Sequence, residues 1–255
     1  MGMFRAGYAG LLALVITGVL QAATPEDPLQ SVMWDHTRRI FLGDADYQFD
    51  PRIRIDVPAF AEDPAQVPIH IDASPFAGNI ERIVAWADLN PIQHIFDYYP
   101  LTGGNGRVAL RIKVQQSTAV RAAVLTRDGN WHVGSAWLEA AGGGCTTPSM
   151  GNSDPYWQSH LGDVQARRFS AAGENTRLKF RVIHPMDTGL VSSIPEFYLQ
   201  QLELRDQSGE VLLRMALSQP VSENPVITFD LEQDTSGYTL WLRDNGGNEF
   251  IRPLP

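Results

Sequence analysis

"RVALRIKVQ", Arg107 to Gln115, decides the fold. Val108, Leu110, Ile112 and Val114 alternate with Ala109, Arg111 and Lys113. A period of two is that of a strand with one buried and one wet face. The pattern spreads outward. "RIRIDV" carries it on Ile53, Ile55 and Val57, and "QVPIHIDA" on Val67, Ile69 and Ile71. "IERIVAWA", "AVRAAVLT" and "NWHVGSAWLEA" read as further strands, with "RDGN" (Arg127 to Asn130) as a hairpin turn. Short alternating strands separated by turns indicate an antiparallel β-sandwich.

The alternation stops in "TTPSMGNSDPYWQSHLGD", Thr146 to Asp163, which reads as a polar linker on which Tyr156 and Trp157 dock against one of the flanking units. It resumes in "RLKFRVI", "FYLQQLELRD", "EVLLRMALS", "VITFDLE" and "YTLWLRD". The expected fold is all-β: two immunoglobulin-like antiparallel sandwiches, over 24–145 and 164–255, joined by 146–163. One short helix precedes them. In "DPLQSVMWDHTRRIF", Leu29, Val32, Met33, His36 and Ile40 fall at helical spacing, and Asp27–Pro28 reads as its cap and first position.

Residues 1–23 have the order of a secretory signal peptide: Arg5, the apolar run Leu11 to Leu20, then Ala22 and Ala23. The run is short for a membrane span, which needs about 20 apolar residues. The mature protein is expected in the periplasm and off the membrane. Net charge is −9, with 10 basic and 15 acidic residues from Thr24 to Cys145 and 9 and 14 after it. No run of Lys and Arg appears along the chain, which argues against nucleic acid as a partner.

The chain has one cysteine, Cys145, behind Gly142, Gly143 and Gly144. An unpaired cysteine in an exported chain points to a reactive thiol or an intermolecular bridge. The alternative is a buried cysteine acting as a small hydrophobe. Three residues without side chains argue for a mobile arm with an exposed thiol. Extended from Ala140 to Cys145, such an arm reaches roughly 20 Å. No cation lies near Cys145 in sequence, so its expected pKa is the ordinary one, about 8.5. No catalytic constellation, metal-ligand spacing or cofactor motif is found. In "HPMDTG", Pro185 and Gly189 are expected to shape a turn and His184 to make a structural hydrogen bond.

The first unit resembles SoxY, the sulfur-carrier subunit of the bacterial thiosulfate-oxidising system. The residues that carry the likeness are "IDVPAFAEDPAQVPIHIDAS", "ADLNPIQHIFDYYP", "GRVALRIKVQQSTAVRAAVLTRDG" and "GGGC". The second unit is similar to SoxZ, the partner of SoxY, through "FRVIHPMDTGL", "IPEFYLQQLEL", "SENPVITFDL" and "SGYTLWLRDNGG". The resemblance implies a fused carrier whose Cys145 holds sulfur intermediates covalently at the end of the arm Gly142–Gly144. It implies sulfur-oxidising enzymes as partners, or the quinoprotein dehydrogenases with which fused relatives are associated. In the two-chain family the cysteine lies near a free C-terminus. Here the chain continues, so the arm is a loop held at both ends. Three readings follow: a covalent carrier that is not itself an enzyme, an accessory or maturation module for a periplasmic quinoprotein dehydrogenase, and an independent thiol enzyme.

Overall fold

A computed structural model describes Gly2 and residues 25–149, 156–170, 175–232 and 237–254. The signal-peptide reading lies outside the described residues, apart from Gly2, as do residues 150–155 of the connecting segment. The first half comprises α1 (Trp34–Phe41), β1 (Tyr47–Phe49), β2 (Arg54–Asp56), β3 (Phe60–Ala61), β4 (Val67–Asp72), β5 (Ile80–Ala87), β6 (His94–Tyr99), β7 (Gly104–Ile112), β8 (Thr118–Thr126) and β9 (Trp131–Ala140). The second comprises α2 (Tyr156–His160), β10 (Val164–Ser170), β11 (Thr176–Val182), β12 (Leu199–Arg205), β13 (Val211–Leu217), β14 (Val226–Leu231), β15 (Thr239–Asp244) and β16 (Glu249–Pro253).

The chain is all-β, and each half supplies strands to both of two sheets. One sheet runs β1-β9-β8-β5-β6-β13-β12-β15-β16, with β3 on β9, and the other runs β10-β11-β14-β7-β4-β2. The two halves therefore join edge to edge. β13 pairs antiparallel with β6 (Met215 opposite Tyr98), and β14 with β7 (Phe229 opposite Val108). Open edges invite pairing with other chains, and this junction closes one on each sheet of each half. Most pairings are antiparallel, but β1 and β3 run parallel to β9.

The alternation works as the sequence implies. Val108, Leu110 and Ile112 of β7 turn inward, as do Leu178 and Phe180 of β11 and Ile227 and Phe229 of β14. They enter one apolar cluster that also takes in Phe96, Tyr98, Leu202, Leu213 and Met215. At about 1.5–3 kcal/mol per large buried side chain, this shared core is the main force holding the halves together.

The helical reading of 27–42 needs correction. Helix α1 begins only at Trp34, and Val32 and Ile40 stand 88% and 55% exposed. The buried face is Trp34 and Thr37, with Phe41 stacked on Trp86 at 4.8 Å. Asp27 caps a turn instead of the helix, accepting the N–H groups of Leu29 and Ser31 at 3.2 and 2.7 Å. It also pairs with fully buried Arg121 at 2.7 Å, which reaches Asp88 at 3.1 Å and lies 4.9 Å over the Trp34 ring. Burial pushes the Asp27 carboxyl up, but its bonds to Arg121 and the backbone outweigh this and hold it below its usual range. The N-terminal segment is thus pinned to the first half by a buried ion network.

Candidate functional site

Strand β7 ends at Ile112, and the next residues build the site. Lys113 N–H donates to the Pro220 carbonyl at 2.6 Å, and Val114 N–H to Pro64 at 2.8 Å. After β9 the chain returns alongside them: Gly143 N–H donates to Gln115 at 3.1 Å and Gly144 N–H to Val114 at 2.9 Å. Cys145 sits in the short 3₁₀ turn Gly144–Thr146.

The glycines of "GGGC" serve close approach. Gly142 has φ +100°, and a Cβ on Gly144 would overlap the Pro64 carbonyl oxygen. Only glycine lets the backbone lie this close to its neighbours at both points.

The expectation of a swinging arm with an exposed thiol does not hold in this structure. Cys145 is 1% exposed. Its Sγ donates to the Lys113 carbonyl at 3.6 Å. Its own carbonyl accepts the Thr188 Oγ1 hydroxyl at 2.8 Å. The thiol is parked where the two halves meet, gripped from the second half. The expectation of an ordinary pKa also fails. Burial pushes the thiol up to about 11, and nearby Lys113 offsets only part of that.

The second half presents the loop His184–Gly189. It turns through Met186 at φ +52° and Gly189 at φ +75°. His184 is fully buried, and its Nδ1 accepts the Met186 N–H at 3.2 Å. Its backbone exchanges bonds with Asn224 at 3.1 and 2.8 Å. This agrees with a structural turn and a structural histidine. Lys113 Nζ donates to the Met186 carbonyl and is itself buried. Desolvation lowers the Lys113 pKa, opposed by Asp187, Cys145 and Glu223. Asn90 completes the frame, donating to the Lys113 carbonyl at 2.9 Å and accepting Gln115 N–H at 2.9 Å.

Of the sequence-predicted residues, Cys145 and Gly142–Gly144 fall together. Lys113, Thr188 and Asn90 were missed as site residues, though Thr188 lay inside the quoted "HPMDTG". Trp157 of the connecting segment packs toward Phe197 of the second half, with ring centroids 6.2 Å apart. Tyr156 is 54% exposed and stacks on His160. Among the described residues no group of three or more His, Cys, Asp or Glu side chains is placed to hold a metal, and no helix is long and apolar enough to cross a membrane.

Comparison with known proteins gives two family matches. Residues 38–145 match the sulfur oxidation protein SoxY, and residues 164–252 match the sulphur oxidation protein SoxZ. Among solved structures the chain is similar to the sulfur carrier protein SoxY from Chlorobium limicola f thiosulfatophilum. That likeness has 20% identity and a TM-score of 0.38, covering 42% of this chain and 90% of that one. No curated protein matches the chain.

Proposed function

The chain carries a SoxY domain followed by a SoxZ domain, and from that premise we propose that it is a covalent sulfur carrier whose attachment point is Cys145. The observation that carries this reading is the placement of the only thiol, at the end of the SoxY match and under the grip of the SoxZ half. The protein serves separate enzymes and is not itself the catalyst. Joining the thiol to a reduced sulfur compound forms an S–S bond and releases two electrons, the thiol proton and any proton carried by the second sulfur. An acceptor in the partner enzyme must take those electrons. The N-terminal 23 residues export the chain, so this chemistry takes place in the periplasm.

In the parked state the thiol is chemically quiet. A pKa of about 11, against an ordinary value of about 8.5–9, leaves at least about a hundredfold less thiolate at neutral pH. Loading therefore requires the turn to leave the seam. Five hydrogen bonds hold it, including Thr146 Oγ1 to Gln115 Oε1 at 3.3 Å, each worth about 1 kcal/mol net. Release returns backbone freedom worth about 1–2 kcal/mol per residue. Terms of like size and opposite sign make undocking accessible without unfolding the sheets. Because the arm is a loop, a partner must admit two chain segments side by side or act near the protein surface.

The test is intact-mass measurement of protein recovered from cells oxidising reduced sulfur. Sulfur-containing adducts on wild type and none on Cys145→Ser are expected. Unmodified wild type would favour the second reading, an accessory module for a periplasmic quinoprotein dehydrogenase, which the buried thiol also suits.

A further inference from the structure

The even charge along the sequence becomes uneven on the surface. The outer face of the sheet β10-β11-β14-β7-β4-β2 collects cations from alternate positions of its strands. Arg54, Arg107 and Arg177 share the carboxylates of Asp72 and Asp230, at 2.8, 3.2 and 2.7 Å. Arg111, Arg167, Lys179 and Arg181 have no ion-pair partner among the described residues, and all four are exposed. Lys179 lies directly opposite Arg167, and Arg181 is two positions along the same strand. Like charges opposite each other in a sheet are destabilising. Here they persist unneutralised on a chain of net charge −9.

Between these cations the floor is small and largely apolar. Ala109, Val226 and Thr228 line a trough of about 520 Å³ with Arg111 and Lys179 on its rim, and the Asp56–His70 pair, 3.1 Å apart, lines it as well. A second trough of about 720 Å³ adjoins it beside Arg167, Arg181 and Phe169, which is 46% exposed. Arg111 stands two residues before Lys113, whose carbonyl holds the thiol, so at about 3.3 Å per residue the face ends roughly 7 Å from that carbonyl along β7.

We infer that this basic face is the docking surface for an acidic face of the enzymes that load and unload Cys145. The inference rests on the carrier reading. Carboxylates of such a partner would neutralise Arg111, Arg167, Lys179 and Arg181, and its apolar side chains would enter the troughs. Charges of this kind act over about a Debye length, 8 Å at physiological salt, so local complementarity outweighs the acidic net charge. A second copy of the chain is the weaker occupant, because an acidic surface elsewhere on that copy would make a head-to-tail contact, not the self-complementary one of the commonest dimers.

The experiment uses Cys145→Ser protein, which keeps its outcome separate from any failure of the carrier chemistry. The probe is a Glu/Asp-rich peptide with a central leucine, titrated by calorimetry, with amide hydrogen exchange to place it. Protection on β7, β11 and β14 is expected, with affinity falling about tenfold between low and physiological salt. Arg111→Glu, Lys179→Glu and Arg181→Glu together should cost at least about tenfold more, while Arg243→Glu outside the face should change little. Circular dichroism of the triple variant verifies that the sheets remain. Absent binding at low salt overturns the proposal. So does tighter binding to phosphatidylglycerol vesicles than to the peptide, or a sedimenting dimer that the triple variant abolishes.

Discussion

The two halves meet twice along one strand, and the two contacts are of different kinds. At Val108 and Ala109, β7 pairs with β14 in a ladder backed by the shared core. Just past the end of β7, Lys113 meets the second half through its backbone N–H to the Pro220 carbonyl and through Nζ to the Met186 carbonyl, beside the Thr188 hydroxyl on Cys145. The first contact cannot be lost without opening that sheet and the core behind it. The second can be lost one hydrogen bond at a time. On the carrier reading, one polypeptide thus has a permanent seam and a reversible one, and the thiol belongs to the reversible seam.

The largest effect tests the permanent seam. Ala216 of β13 lies between β6 and β12. Ala216→Pro should destabilise the whole chain by about 3 kcal/mol or more, since proline fits badly within a central strand. Urea unfolding would show it, with the halves losing structure together. A second half that melts alone would break the comparison.

Next in size is the response to pH. The thiol's folded pKa is raised from 9.0 to about 11, so the stabilisation that goes with its burial is fully present below about 9 and is lost as pH rises from 9 through 11. Native alkylation should keep rising past pH 9, towards a midpoint near 11, while a cysteine peptide levels off around its ordinary pKa of about 8.5–9. A native midpoint at the peptide's value would mean an undocked thiol.

Gly144→Ala comes third. Its Cβ cannot share space with the Pro64 carbonyl. The turn should undock and alkylation rise about tenfold, with far less loss of global stability than Ala216→Pro causes. Thr188→Val removes one bond of about 1 kcal/mol, so alkylation should rise about fivefold, read by the same assay.

How much was legible in the sequence follows from the range of each interaction. Strands β4, β7 and β11 declare themselves because burial alternates residue by residue within one short run. The turn at His184–Gly189 was readable from its own proline and glycine. The parked thiol was not, because its partners Lys113 and Thr188 lie 32 and 43 residues away. Glycines that imply freedom in a sequence here permit close packing, which only the neighbouring backbone reveals. Helix α1 was misread for a related reason. Trp34 and Phe41 find a distant partner in Trp86, while Val32 and Ile40 find none. The basic face escaped notice because its cations are spaced by two along separate strands and meet only across the sheet.

The most direct test of the reversible seam is native alkylation of Cys145 measured against denaturant. If the turn opens by itself, the rate at low urea should be nearly independent of urea and should exceed the rate set by global unfolding, with Thr188→Val raising that plateau. A rate that follows urea with the full slope of global unfolding at every concentration would contradict the account, because the thiol would then be reachable only when the sheets come apart.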